Sequence, residues 1–163
     1  MEFIKLETLT LHIFDKNSEM DILFYKKLRN DKTITKYIQG LSVGLLYNPQ
    51  HKFFNKSFFV AEQDSYIGYI KIGNYNELNK YVYLSGAIDF DSRGKSLGSK
   101  MLYEVSDYIF KNYPEVESIR LKIKSTNKSS IYTANSCGFI WLTDELYYKL
   151  NPYLEKTFTK ILK

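Results

Sequence analysis

The hydrophobic period of the chain switches twice between residues 57 and 124. SFFVAEQ (57–63), YIGYIKIG (66–73) and KYVYLSGAIDF (80–90) are rich in β-branched and aromatic residues. Asp64-Ser65 and the polar loop 74–79 separate them, which predicts a three-stranded meander. Leu97, Met101, Leu102, Val105, Tyr108 and Ile109 then recur at helical spacing up to Pro114, and SIRLKIK (118–124) alternates as a strand again. A meander that runs on into a strand, helix, strand unit implies an α+β fold.

The flanks extend this frame. Residues 3–14 read as one or two strands, and a helical pattern begins at Ser18 or Glu19 and ends near Asn30-Asp31. A second short helix is expected over 32–39, stopped by Gly40. Pro49 breaks the segment 41–56, where Phe53 and Phe54 suggest a helical turn packed on the core. Asn127 is placed to cap a helix over 128–137 that Gly138 closes, and FIWLT and LYYKL form a closing hairpin through Asp144-Glu145. The expected architecture is a mixed, mostly antiparallel sheet of about seven strands with helices on both faces. A length of 163 residues suits a single domain over 1–163.

Several function classes are disfavoured. No window approaches 18 uninterrupted apolar residues, so no membrane span is expected, and the N-terminus lacks the basic and apolar regions of a secretory signal. Cys137 is the only cysteine; it reads as a small buried residue and fits a reducing, cytoplasmic setting. His12 and His51 stand far apart, so no metal is expected. The net charge is +5, but 23 basic residues are interleaved with 18 acids and form no stripe. That argues against a nucleic-acid partner and leaves a mildly positive surface suited to an anionic ligand.

The candidate chemistry lies at DFDSRGKSLGSKML (89–102), where the strand at 80–90 meets the helix at 95. The amides of Gly94, Lys95, Ser96, Leu97, Gly98 and Ser99 would lack intrahelical partners and could receive phosphate oxygens, with Arg93 and Lys95 adding charge. Neither the Walker nor the Rossmann glycine pattern is present. Taken alone, the loop fits a basic turn capping a helix equally well.

A second motif, NKSSIYTANSCGF (127–139), joins the first. With Arg93, Ser96 and Gly98 in one, and Asn127, Ser130, Gly138 and Phe139 in the other, the chain resembles the GNAT superfamily of acyl-CoA N-acyltransferases, nearest to its ribosomal-protein and amino-sugar acetylating branch. The resemblance implies a splayed central strand pair. It also implies an N-acetyltransferase that uses acetyl-CoA as cosubstrate, needs no metal, and acetylates a small-molecule or peptide amine by direct attack in a ternary complex. Backbone groups of Gly86, Ala87 and Ile88 would bond the pantetheine arm, residues 94–99 the pyrophosphate, and Asn127 the middle of the arm. An amide near Ile88 would polarise the thioester carbonyl. Tyr25, Asn30, Asp31 and Tyr37 would line the acceptor side.

The departures are as specific. Ser96 replaces a usual glycine, and Ala134 a tyrosine that protonates the leaving thiolate in many members; Tyr132, two residues away, points elsewhere. Ser130 can meet the thiolate, or can be an ordinary first-turn residue. Val82, Leu84 and Lys122 occupy the usual positions of a base. Glu62 and Asp89 are the substitutes, each also readable as a solvated surface charge, and water is a third route for the proton. These departures leave a second expectation open: a CoA-binding or regulatory module with impaired catalysis.

Overall fold

The computed structural model describes residues 3–37, 53–142 and 146–154. Along the chain run β1 (Phe3–Lys5), β2 (Leu9–His12), α1 (Glu19–Asn30), α2 (Lys32–Thr35), β3 (Lys56–Glu62), β4 (Ser65–Ile72) and β5 (Tyr81–Ile88). A 3-10 turn (Phe90–Ser92), α3 (Leu97–Asn112), β6 (Ser118–Lys122), α4 (Lys128–Ser136), β7 (Ile140–Trp141) and β8 (Leu146–Leu150) complete it. They form one sheet in the order β1-β2-β3-β4-β5-β6-β8-β7. Only β5 and β6 are parallel, because the α3 crossover connects them; every other neighbouring pair is antiparallel.

Eight strands replace the expected seven because the N-terminal run breaks into a hairpin, closed by Leu6 N–H donating to Leu9 O at 2.9 Å. Residues 53–55 form a turn and not a helix, although Phe53 is buried as expected and stacks on Tyr113 at 4.8 Å. The expected helix at 32–39 is seen as α2 and a turn through Tyr37. Residues 38–52, with His51 and Pro49, lie outside the described residues, as does the Asp144-Glu145 turn.

The two faces of the sheet are filled differently. Leu97, Met101, Val105 and Ile109 of α3 and Ala134 of α4 pack on Phe58, Ile70, Val82, Leu84, Ile119 and Leu121. On the opposite face Phe24 and Leu28 of α1 and Ile34 of α2 cover Phe59 and Tyr69. The strict alternation along β5 and β6 follows from the period of two in a strand. It puts Val82 and Leu84 into the α3 core and leaves Tyr81, Tyr83 and Ser85 on the opposite face. Buried Glu104 of α3 accepts from the amides of Thr8 and Leu9 at 2.9 and 3.0 Å, tying the helix to the β1–β2 hairpin.

Candidate active site

The sheet opens where β5 leaves β6. The parallel register runs from Tyr81 opposite Ser118 to Leu84 opposite Leu121 and stops there, while β5 stays paired with β4 as far as Ile88 opposite Gly68. Gly73 N–H donates to Tyr83 O, and Asp89 N–H donates to Ile67 O, both at 2.8 Å. Alternation therefore turns the main chain of Ser85 and Ala87 toward β4, and that of Gly86 and Ile88 into the opening. Of the three backbone positions expected to serve a ligand, Gly86 and Ile88 face the cleft; Ala87 is spent on its pairing with Tyr69.

Two glycines permit this divergence. A Cβ on Gly86 would lie 2.5 Å from Tyr69 O, and one on Gly68 2.2 Å from Ala87 O. Backbone approaches backbone so closely that only hydrogen fits on the inner side of each bend.

Directly beyond Ile88 the chain makes the 3-10 turn and enters α3 through Gly94 at φ +77° and Ser96 at φ +57°. The amides of Gly94 through Ser99 have no acceptor among the described residues; the first helical bond is Lys100 N–H to Ser96 O. Six donors and the positive end of a four-turn helix thus face outward beside the open edge of β5. The start of α3 is braced by α4: Ser99 Oγ lies 2.9 Å from Ser136 Oγ, and Cys137 Sγ donates to Ser99 O at 3.2 Å. Burial pushes the Cys137 thiol up, so it stays protonated and donates.

Arg93 does not point at this nest. Its Nε donates to Ile88 O at 3.0 Å, Nη1 to Thr33 Oγ1 at 2.7 Å, and Nη2 to Asp31 Oδ2 at 2.9 Å. Those bonds make Arg93 a strut from the loop to α2. Asp31, expected on the acceptor side, is its partner and also caps α2 by accepting from Thr33 and Ile34 amides. Burial pulls the Asp31 carboxyl up, but the Thr33 hydroxyl and amide, Arg93 and the Ile34 amide outweigh it and hold it below the usual range. Lys95 is exposed and carries no ion pair among the described residues.

The remaining site expectations separate clearly. Asp89 is buried and held by Lys27 Nζ at 2.7 Å, which also holds Asp91 at 2.7 Å. Glu62 pairs with Lys100 of α3, on the face away from α1. Each carboxylate is thus engaged in an ion pair. Asn127 caps α4 by accepting from Ser130 N–H at 3.3 Å, which leaves its side-chain NH2 uncommitted among the described residues. Ser130 sits in that first turn, half-buried, while Ala134 is fully buried and Tyr132 is 75% exposed. Tyr25 accepts from Arg29 at 2.9 Å; Asn30 is exposed, and Tyr37 lies beside Lys36. Sequence reasoning missed Lys27, Thr33, Gly68 and Ser136, which position the site. Only Thr33 carried a signal, as the third residue of an Asp-Lys-Thr cap.

The sequence profile of the Acetyltransferase (GNAT) domain matches residues 46–157. The chain belongs to the GNAT acetyltransferase family. Its activity class is that of an acyl-CoA-dependent N-acetyltransferase. The fold of this acetyltransferase is shared by solved structures of low identity. A GNAT acetyltransferase from Bacillus anthracis is 16% identical with a TM-score of 0.70, covering 92% of this chain and 99% of that one. The spermidine N-acetyltransferase of Vibrio cholerae, solved with CoA and spermine, is 17% identical with a TM-score of 0.65, covering 88% and 96%. RimL, a ribosomal L7/L12 α-N-protein acetyltransferase solved with CoA, is 14% identical with a TM-score of 0.68, covering 91% and 98%. No curated protein sequence matches the acetyltransferase. Among the described residues no helix is long and apolar enough to cross a membrane, and no group of His, Cys, Asp or Glu could hold a metal ion.

Proposed function

We propose that the acetyltransferase binds acetyl-CoA along the opening between β5 and β6 and transfers the acetyl group to a primary amine that attacks it directly in a ternary complex. The observation that carries this reading is the juxtaposition of an unpaired strand edge with the free start of α3. Gly86 and Ile88 offer the main-chain partners that an amide-rich arm requires, as an added strand would. The six amides of residues 94–99 suit a pyrophosphate, and the Asn127 NH2 suits an amide oxygen of the arm. The Ile88 N–H serves as donor to the thioester carbonyl oxygen as negative charge builds there.

In the transfer step the ammonium first loses one proton, a nitrogen–carbon bond forms and the carbon–sulfur bond breaks, and the acylated nitrogen gives up a second proton, which the departing thiolate takes. Ser130 Oγ is the hydroxyl assigned to the departing sulfur. The ammonium proton goes to water, since Glu62 and Asp89 are both held in ion pairs and Val82 and Leu84 are buried in the core. Positioning and desolvation supply the acceleration. The lone, unpaired Cys137 supports a cytoplasmic site of action.

Titration calorimetry with acetyl-CoA and CoA tests the reading. Binding is expected, and none at millimolar concentration would sink it. Gly98→Glu puts a carboxylate among the amides and is expected to abolish binding. A Cβ there has 3.6 Å to Ile88 Cγ1, so the fold, followed by circular dichroism, is expected to survive. CoA binding without thiol release on any amine would identify a binding module instead.

A further inference from the structure

Among the described residues, the two sides of the cleft proposed for the thioester differ in how they are filled. On the α3 side the sheet is closed by Leu97, Met101 and Ala134. On the opposite side α1 and α2 cover Phe59 and Tyr69, and beyond them β5 and β6 present Tyr81, Tyr83, Ser85, Arg120 and Lys122. Lys122 stands level with the point where the strands part, and Arg120 two residues below it.

Arg120 is arranged in an unusual way for a surface guanidinium. Its Cζ lies 3.6 Å from the centre of the Tyr81 ring and 4.4 Å from that of Tyr148. Contact with the two rings holds the guanidinium in place before any ligand arrives. Yet its Nε is buried with no hydrogen-bond partner, and no carboxylate among the described residues pairs with the group. Nε is closed to a ligand, but Arg120 as a whole is half-buried, and a guanidinium with no carboxylate partner keeps its capacity to hold an anion where it reaches solvent. Lys71 of β4 and Lys122 add two cations on the same face, neither in an ion pair among the described residues. The acids at the mouth, Asp31, Asp89 and Asp91, are already paired with Arg93 and Lys27.

Resting on the function proposed above, we infer that the acceptor is an amine carrying an anionic group, a carboxylate or phosphate, which Arg120 and Lys122 receive while the amine sits at the thioester. Two residues along a strand span roughly 7 Å, so the charge lies a few bonds from the reacting nitrogen. Amino acids and acidic dipeptides meet this description; polyamines are repelled.

Thiol release from acetyl-CoA is measured with glutamate, acidic dipeptides, their neutral amides, phosphoethanolamine and spermidine. The anionic amines are expected to show a KM at least about tenfold below that of the amides. The phosphoethanolamine arm separates phosphate from carboxylate. Arg120→Met is expected to raise that KM about tenfold with kcat within about twofold, and Arg120→Lys to recover part of the loss. CoA affinity by calorimetry serves as the control for folding. With CoA bound, equal use of anionic and neutral amines, a preference for spermidine, or no turnover of the anionic amines overturns the inference and leaves the proposed donor site standing. Failure to bind CoA removes both.

Discussion

Ser96 holds a left-handed backbone at φ +57° and its side chain makes no capping bond, so its Cβ brings strain and nothing in return. An L-residue in that region costs about 1–2 kcal/mol, part of which a glycine gives back through its greater freedom when unfolded. Ser96→Gly is therefore expected to stabilise the acetyltransferase by about 0.5–1 kcal/mol, read as a shift of the urea midpoint. The departure from the family pattern at this position thus carries a conformational cost. Asp31 makes a second test. Its carboxyl is held below the ordinary 3.8, so its contribution to stability is complete above that pH and is lost as pH falls through the lower folded value. The stability gap between the wild type and Asp31→Asn is expected to be steady near pH 6 and to close below 3.8, followed by urea unfolding at each pH. The sequence suggested Arg93 for the donor loop and Asp31 for the acceptor side, and the structure pairs the two with each other. That pairing was not legible in the sequence, because 62 residues separate them and nothing local encodes the contact.

Beside the opening between β5 and β6, the glycines of β4, β5 and α3 divide by what surrounds them. Gly86→Ala would set a Cβ 2.5 Å from the Tyr69 carbonyl, and a strand backbone cannot give way there without moving β4 or straightening β5. We expect a loss of about 1–3 kcal/mol together with weakened CoA binding. Gly98→Ala meets only ordinary contacts at 3.6 and 3.8 Å and removes a glycine from a helix. It is expected to leave stability unchanged or raise it by up to about 1 kcal/mol. Thermal unfolding of the two variants side by side checks the contrast; equal losses would show that the bend does not depend on Gly86. Both glycines are visible in the sequence as interruptions of strand and helix patterns. Which one marks a bend and which merely opens a helix depends on the neighbouring backbone.

Across the molecule, the proposed function divides the sheet between two tasks: α3 and α4 on the side assigned to the donor, and the opposite face assigned to the acceptor. Since no described carboxylate or imidazole stands free at the opening, the rate should follow the ionisation of the amine itself. We expect kcat/KM to rise about tenfold per pH unit and to level at the pKa of each amine used, so that the midpoint moves from one acceptor to the next. A midpoint that stays near pH 6–7 for all amines would reveal a protein base. The order of strands and helices, the helix caps and the amide-rich start of α3 could all be read from the chain. Hydrophobic period and capping are local properties, set by residues three or four apart. Where β5 parts from β6, which main-chain groups stay unpaired, and that Arg93, Asp89 and Glu62 are consumed in ion pairs are matters of register and long-range approach. Those depend on which strands become neighbours and on how closely two backbones can meet, and no short stretch of sequence carries that information.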